Sequence, residues 1–101
     1  MGGLSDQAAR QMTKDGTGKM YCLAGIGGRV EPIMANVLGV AKVLVIDGCS
    51  QECARKTMEL AGFSGFQHLK LEGMGYKKGE TPVTPDRVRA VADRGAALLK
   101  A

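Results

Sequence analysis

The chain has no tryptophan, two tyrosines and two phenylalanines among 101 residues. A large aromatic core is therefore excluded, and the interior has to be built from Val, Leu, Ile, Met and Ala. No apolar run approaches the length needed to span a membrane. The start, Met1-Gly2-Gly3-Leu4-Ser5-Asp6, turns polar at once, which is unlike a secretory leader. Basic side chains do not cluster: beyond the doublet Lys77-Lys78 they are scattered, without interleaved aromatics, and no nucleic-acid footprint is expected. The surplus is mild, at +4 with a pI near 9.2, and suits a solvated basic surface.

What is present matches an ordinary globular domain: 45% hydrophobic and 24% charged residues. A chain this short holds one core, so residues 1–101 are expected to form a single domain. These features imply a cytoplasmic setting without membrane attachment. In that compartment three cysteines argue for metal or redox chemistry over a structural disulfide.

Periodicity predicts the order α-β-α-β-α-β-α. A helix runs from Leu4 to about Lys14, with Ser5 as N-cap and Ala8, Ala9 and Met12 on one face, and stops at Asp15-Gly16. Gly18–Leu23 reads as a strand, followed by a glycine loop, Gly25-Ile26-Gly27-Gly28, and a helix from Arg29 to about Leu38. Val43–Ile46 reads as a second strand, with a helix after it ending at Gly62, and Gln67–Leu71 as a third. Residues 72–83 read as a mobile glycine-rich loop. Met74, Tyr76, Lys77 and Lys78 on that loop suggest an interaction module. Thr84-Pro85-Asp86 opens the last helix, whose buried face is Val88, Val91, Ala92 and Leu99. Alternating strands and helices imply an α/β fold: a small two-layer or three-layer Rossmann-like domain with a three-stranded parallel sheet.

Chemistry concentrates at Asp47-Gly48-Cys49-Ser50-Gln51-Glu52-Cys53, where a strand hands over to a helix. Cys49 and Cys53 are four apart and share a face if both are helical. A helix N-terminus favours thiolate, the form that binds soft metals and attacks electrophiles. Cys22 falls near the carboxyl end of the first predicted strand, on the same sheet edge. Neighbouring strands lie about 4.8 Å apart. Thiolates at about 2.3 Å from zinc need comparable proximity, so Cys22, Cys49 and Cys53 are candidate zinc ligands. The fourth position stays open between Asp47, His68 (the one histidine), water and a substrate atom.

The same residues admit other chemistry. Cys49 and Arg55 fit the Cys-x5-Arg spacing of cysteine phosphatases and arsenate reductases, in which helix amides and the arginine hold an oxyanion while the cysteine attacks. Glu52 inside that loop would repel an anion. Cys49 with Cys53 could instead form a dithiol redox pair, one residue longer than the usual spacing. Gly25, Gly27 and Gly28, with Arg29 after them, form a weaker candidate: an anion-binding loop without the full phosphate-loop pattern.

The combined motifs resemble the DGC domain family over nearly the whole chain. They are Lys19-Met20-Tyr21-Cys22-Leu23-Ala24-Gly25-Ile26-Gly27-Gly28, Asp47-Gly48-Cys49 with Cys53, Lys56-Thr57, Ala61-Gly62-Phe63 and Pro82-Val83-Thr84. The resemblance implies a small protein with four characteristic cysteines proposed to bind zinc. Three of them fall on Cys22, Cys49 and Cys53. The fourth belongs upstream of Leu4-Ser5, on an N-terminal strand of longer relatives that residues 1–101 do not include. The resemblance implies zinc as cofactor and does not imply a reaction.

Overall fold

A computed structural model describes every residue except Met1, Cys22, Ala41, Cys49, Lys78 and Ala101. The elements in order are α1 (Gly2–Asp15), α2 (Leu23–Gly27), α3 (Glu31–Leu38), β1 (Leu44–Asp47), α4 (Cys53–Leu60), β2 (Gln67–Lys70), a 3-10 turn (Leu71–Met74) and α5 (Pro85–Lys100).

β1 and β2 pair in parallel, Leu44 opposite Gln67 and Asp47 opposite Lys70. Side chains alternate across a strand, so the sheet has two differently used faces. Leu44, Ile46 and Leu69 pack on Leu4 and Ala8 of α1 and on Val88 and Val91 of α5. Val45 packs on the opposite side with Ile26, Val37, Ala54 and Met58, which come from α2, α3 and α4. The sheet is thus the middle layer between two helical layers.

α1 is helical because Leu4, Ala8 and Met12, each four residues from the next, are all buried along one stripe. It begins at Gly2, so Ser5 lies inside the helix and does not cap it. Gly16 ends it at φ +75°, and the Thr17 N–H reaches back to the Met12 carbonyl. α5 begins as its residues dictate. Thr84 Oγ1 accepts the Arg87 N–H, and Pro85 occupies the first turn, where no donor is needed.

The expected three-stranded sheet is not found: among the described residues the sheet has two strands. The segment taken as the first strand is irregular through Tyr21 and becomes helix at Leu23. Met20 donates its N–H to Thr13 Oγ1 and not to a strand neighbour. A cavity of about 420 Å³ lies along β1, lined by residues of both its faces, Val43 to Ile46, and by Ala9, Met12, Tyr21 and Ile26. The glycine segment is likewise not a loop, since Gly25 and Gly27 belong to α2.

The segment after β2 is not the loose tether its glycines suggest. Met74 and Tyr76 pack against the α1–α5 core. Lys77 closes a turn by donating its N–H to Thr81 Oγ1. Lys78 lies outside the described residues. No helix is long and apolar enough to cross a membrane among the described residues.

Candidate functional site at the carboxyl edge of the sheet

β1 ends on Asp47, whose side chain points to the α4 side, as Val45 does. The carboxylate is buried, with 5% of the residue exposed. Oδ1 accepts the Ala54 N–H at 2.8 Å and Oδ2 accepts the Arg55 N–H at 3.1 Å. Asp47 therefore caps α4 from a neighbouring strand, while Glu52, at the N-cap position, makes no side-chain cap. Burying a carboxylate is tolerable here because helix amides and the positive end of the helix dipole replace its water.

The third partner of Asp47 comes from β2. His68 stands opposite Val45 in the register and so shares the face of Asp47. Its Nε2 lies 2.7 Å from Asp47 Oδ2, and its Nδ1 lies 3.7 Å from Glu52 Oε1. One carboxylate thereby joins both strands to the start of α4.

Glu52 adopts a left-handed backbone, φ 55° and ψ 46°, a conformation that costs a non-glycine residue free energy. Its side chain accepts from Arg55 Nε at 2.9 Å. This bond to the Arg55 guanidinium holds the Glu52 carboxyl below the usual range, against the opposing pull of burial. Arg55 also pairs with Glu59, and its bond to Glu52 is the main reason its own pKa is raised.

Cys53 is the first residue of α4 and is exposed, with a free thiol. The helix begins here, behind the left-handed Glu52. Cys22 and Cys49 lie outside the described residues. Among the described residues no three His, Cys, Asp or Glu side chains are grouped to hold a metal ion.

The other candidates are placed as follows. Arg55, the arginine of the Cys-x5-Arg pattern, is engaged by two carboxylates. The Ala54 and Arg55 amides, which would cradle an oxyanion, already hold the carboxylate of Asp47. Gly25 is buried, and a Cβ built on it would stand 2.3 Å from Ile33 Cδ1. The Ile33 side chain of α3 thus fills the space over Gly25 and would have to shift for any side chain there. Arg29, at φ 58°, donates to the carbonyls of Ile26, Gly27 and Leu60, tying the ends of α2 and α4 together.

From sequence Asp47 reads as a candidate fourth ligand, and nothing local pairs it with His68. The available signal was the period of two: Asp47 and His68 share a face only once the register of β1 and β2 is known.

The family model described as DGC domain matches residues 1–94. The chain belongs to the DGC domain family. No curated protein and no solved structure matches it. In this DGC domain the Asp-Gly-Cys triplet opens with the residue that caps α4 and holds His68, so its first position has a structural role independent of any ligand.

Proposed function

We propose that this DGC domain binds zinc through thiolates of Cys22, Cys49 and Cys53 at the carboxyl edge of its parallel sheet. The observation that carries the reading is Cys53. It is an exposed, unpaired thiol on the first turn of a helix whose start is fixed by both strands through Asp47. Family membership supports the reading, and the donor chemistry fits: thiolate and imidazole are what zinc takes. Bound zinc would tie the start of α4 to the segments carrying Cys22 and Cys49. A reducing, cytoplasmic setting would keep the thiols available for it.

The test is elemental analysis of full-length protein, purified reduced and without a metal-affinity tag, together with a count of reactive thiols. About one zinc per chain with the thiols protected supports the reading. Cys49→Ser and Cys53→Ser are then expected to weaken zinc binding by orders of magnitude, and unchanged affinity in both retires the site. A metal-free protein with three reactive thiols would turn attention to thiol chemistry at Cys49. Such chemistry would have to proceed without a free Arg55.

A further inference from the structure

We propose that the free edge of β1 is a docking site for an extended apolar peptide bearing a carboxylate, which joins the sheet as its third strand. The inference does not depend on a metal and concerns the side of β1 turned away from β2.

The register settles which backbone groups of β1 are used. Gln67 donates its N–H to the Val43 carbonyl, and Leu44 lies opposite Gln67. In a parallel ladder every second residue turns its N–H and C=O to the same neighbour, so Val43, Val45 and Asp47 face β2. Leu44 and Ile46 turn theirs the other way, where the sheet has no further strand among the described residues. No hydrogen bond among the described residues reaches the N–H or C=O of either one on that side. Both residues are half-buried. Backbone polar groups removed from water need partners, and an unpaired strand edge is a template for pairing with another segment.

The space beside this edge suits a strand. The cavity of about 420 Å³ along β1 is lined by Ala9 and Met12 of α1 and by Ile26 of α2 and Met58 of α4. It therefore lies between the two helical layers and continues the plane of the sheet. β1 is four residues long, about 13 Å at roughly 3.3 Å per residue, which matches a short peptide. Gly18 to Tyr21 also line the cavity but do not serve the edge, and Met20 gives its N–H to Thr13 Oγ1. The walls are mainly apolar, while the edge offers alternating donors and acceptors. A hydrocarbon ligand would leave those groups unpaired. A peptide strand satisfies them and sends alternate side chains to the two apolar sides. Charge selects the peptide further. Lys19 and Lys42 line the cavity, and Asp6, which lines it too, is paired with Arg10. A carboxylate on the peptide complements that rim.

The experiment uses the full chain as purified, reduced, and the probe acetyl-Val-Thr-Val-Ile-Glu with a free carboxyl end. The peptide is supplied at about 1 mM, where even weak association registers. Amide hydrogen exchange followed by 15N NMR reads the edge residue by residue. The Leu44 and Ile46 amides are expected to exchange faster than that of Val45 in the free protein, and to be slowed by the peptide while Val45 hardly changes. The same peptide N-methylated at every amide should bind at least about tenfold more weakly, because it cannot donate to the edge. Ala9→Leu fills the cavity and should weaken the parent peptide at least about as much. If that variant fails to fold by circular dichroism, the N-methylated peptide decides alone. No protection of Leu44 and Ile46 by the peptide overturns the inference. So does protection already present without it: unchanged on dilution, it shows the edge served by the chain's own residues; lost on dilution, it shows a second copy there. Decanoate binding in the cavity, with the N-methylated peptide as tight as its parent, makes the site one for lipid-like molecules and also overturns it.

Discussion

Asp47 Oδ2 and His68 Nε2 stand 2.7 Å apart although 21 residues separate them in the chain. The same carboxylate caps α4, so one buried side chain links β1, β2 and the helix that carries Cys53. Asp47→Ala removes a helix cap, worth about 0.5–2 kcal/mol, and the hydrogen bond to the half-buried ring of His68, worth about 0.5–1.5 kcal/mol. Metal-free Asp47→Ala is expected to lose roughly 1–3.5 kcal/mol in urea unfolding. A loss below the error of that measurement would refute the capping role.

Acid sensitivity should appear where α1 meets α5. At the end of α1 the hydrogen bond from Arg89 of α5 holds the Asp15 carboxyl below its ordinary value of 3.8, with Gln11 helping. A depressed carboxyl pKa contributes stability that is complete above the unfolded value and is lost as pH falls through the folded one. Arg89→Gln should move Asp15 back up toward 3.8, read as a shifted carboxyl 13C titration. An unmoved midpoint would show that the pair does not persist in solution.

At Gly25 the Ile33 side chain occupies the space a Cβ would take. Gly25→Ala places a methyl within overlap distance of Ile33. Overpacking of this kind typically costs about 1–3 kcal/mol, more than the helical gain of roughly 1 kcal/mol from replacing glycine. A lowered unfolding midpoint is expected. A stabilised variant would mean that α3 moves aside freely.

Cys53 should be modified readily. In reduced, metal-free protein, iodoacetamide is expected to alkylate Cys53 without prior unfolding, because the thiol is exposed and unpaired. Zinc should slow that reaction if Cys53 is a ligand. Peptide mapping by mass spectrometry reads both results, and equal rates with and without zinc would remove Cys53 from the site.

Much of the architecture is legible from local chemistry. The apolar run ending in Asp47, the α1 stripe of Leu4, Ala8 and Met12, and the Thr84-Pro85 start of α5 each carry their own instruction. Lys19 to Tyr21 mislead because so short a run does not separate strand from irregular chain; the Thr13 hydroxyl, which takes the Met20 N–H, decides the path there. The glycines of Gly25-Ile26-Gly27-Gly28 look like a phosphate loop because close helix packing and anion cradles both select glycine.

Local signals along the chain suffice for the element types over most of its length, the parallel α/β class, and the family to which the Asp-Gly-Cys and glycine motifs belong. These depend on periodicity, caps and turns that act within a few residues. The folded chain alone makes Asp47 a helix cap with His68 as its partner. It also leaves Arg55 and Arg29 already engaged. Those roles depend on strand register and on which acceptors converge from distant segments, and no local pattern encodes either.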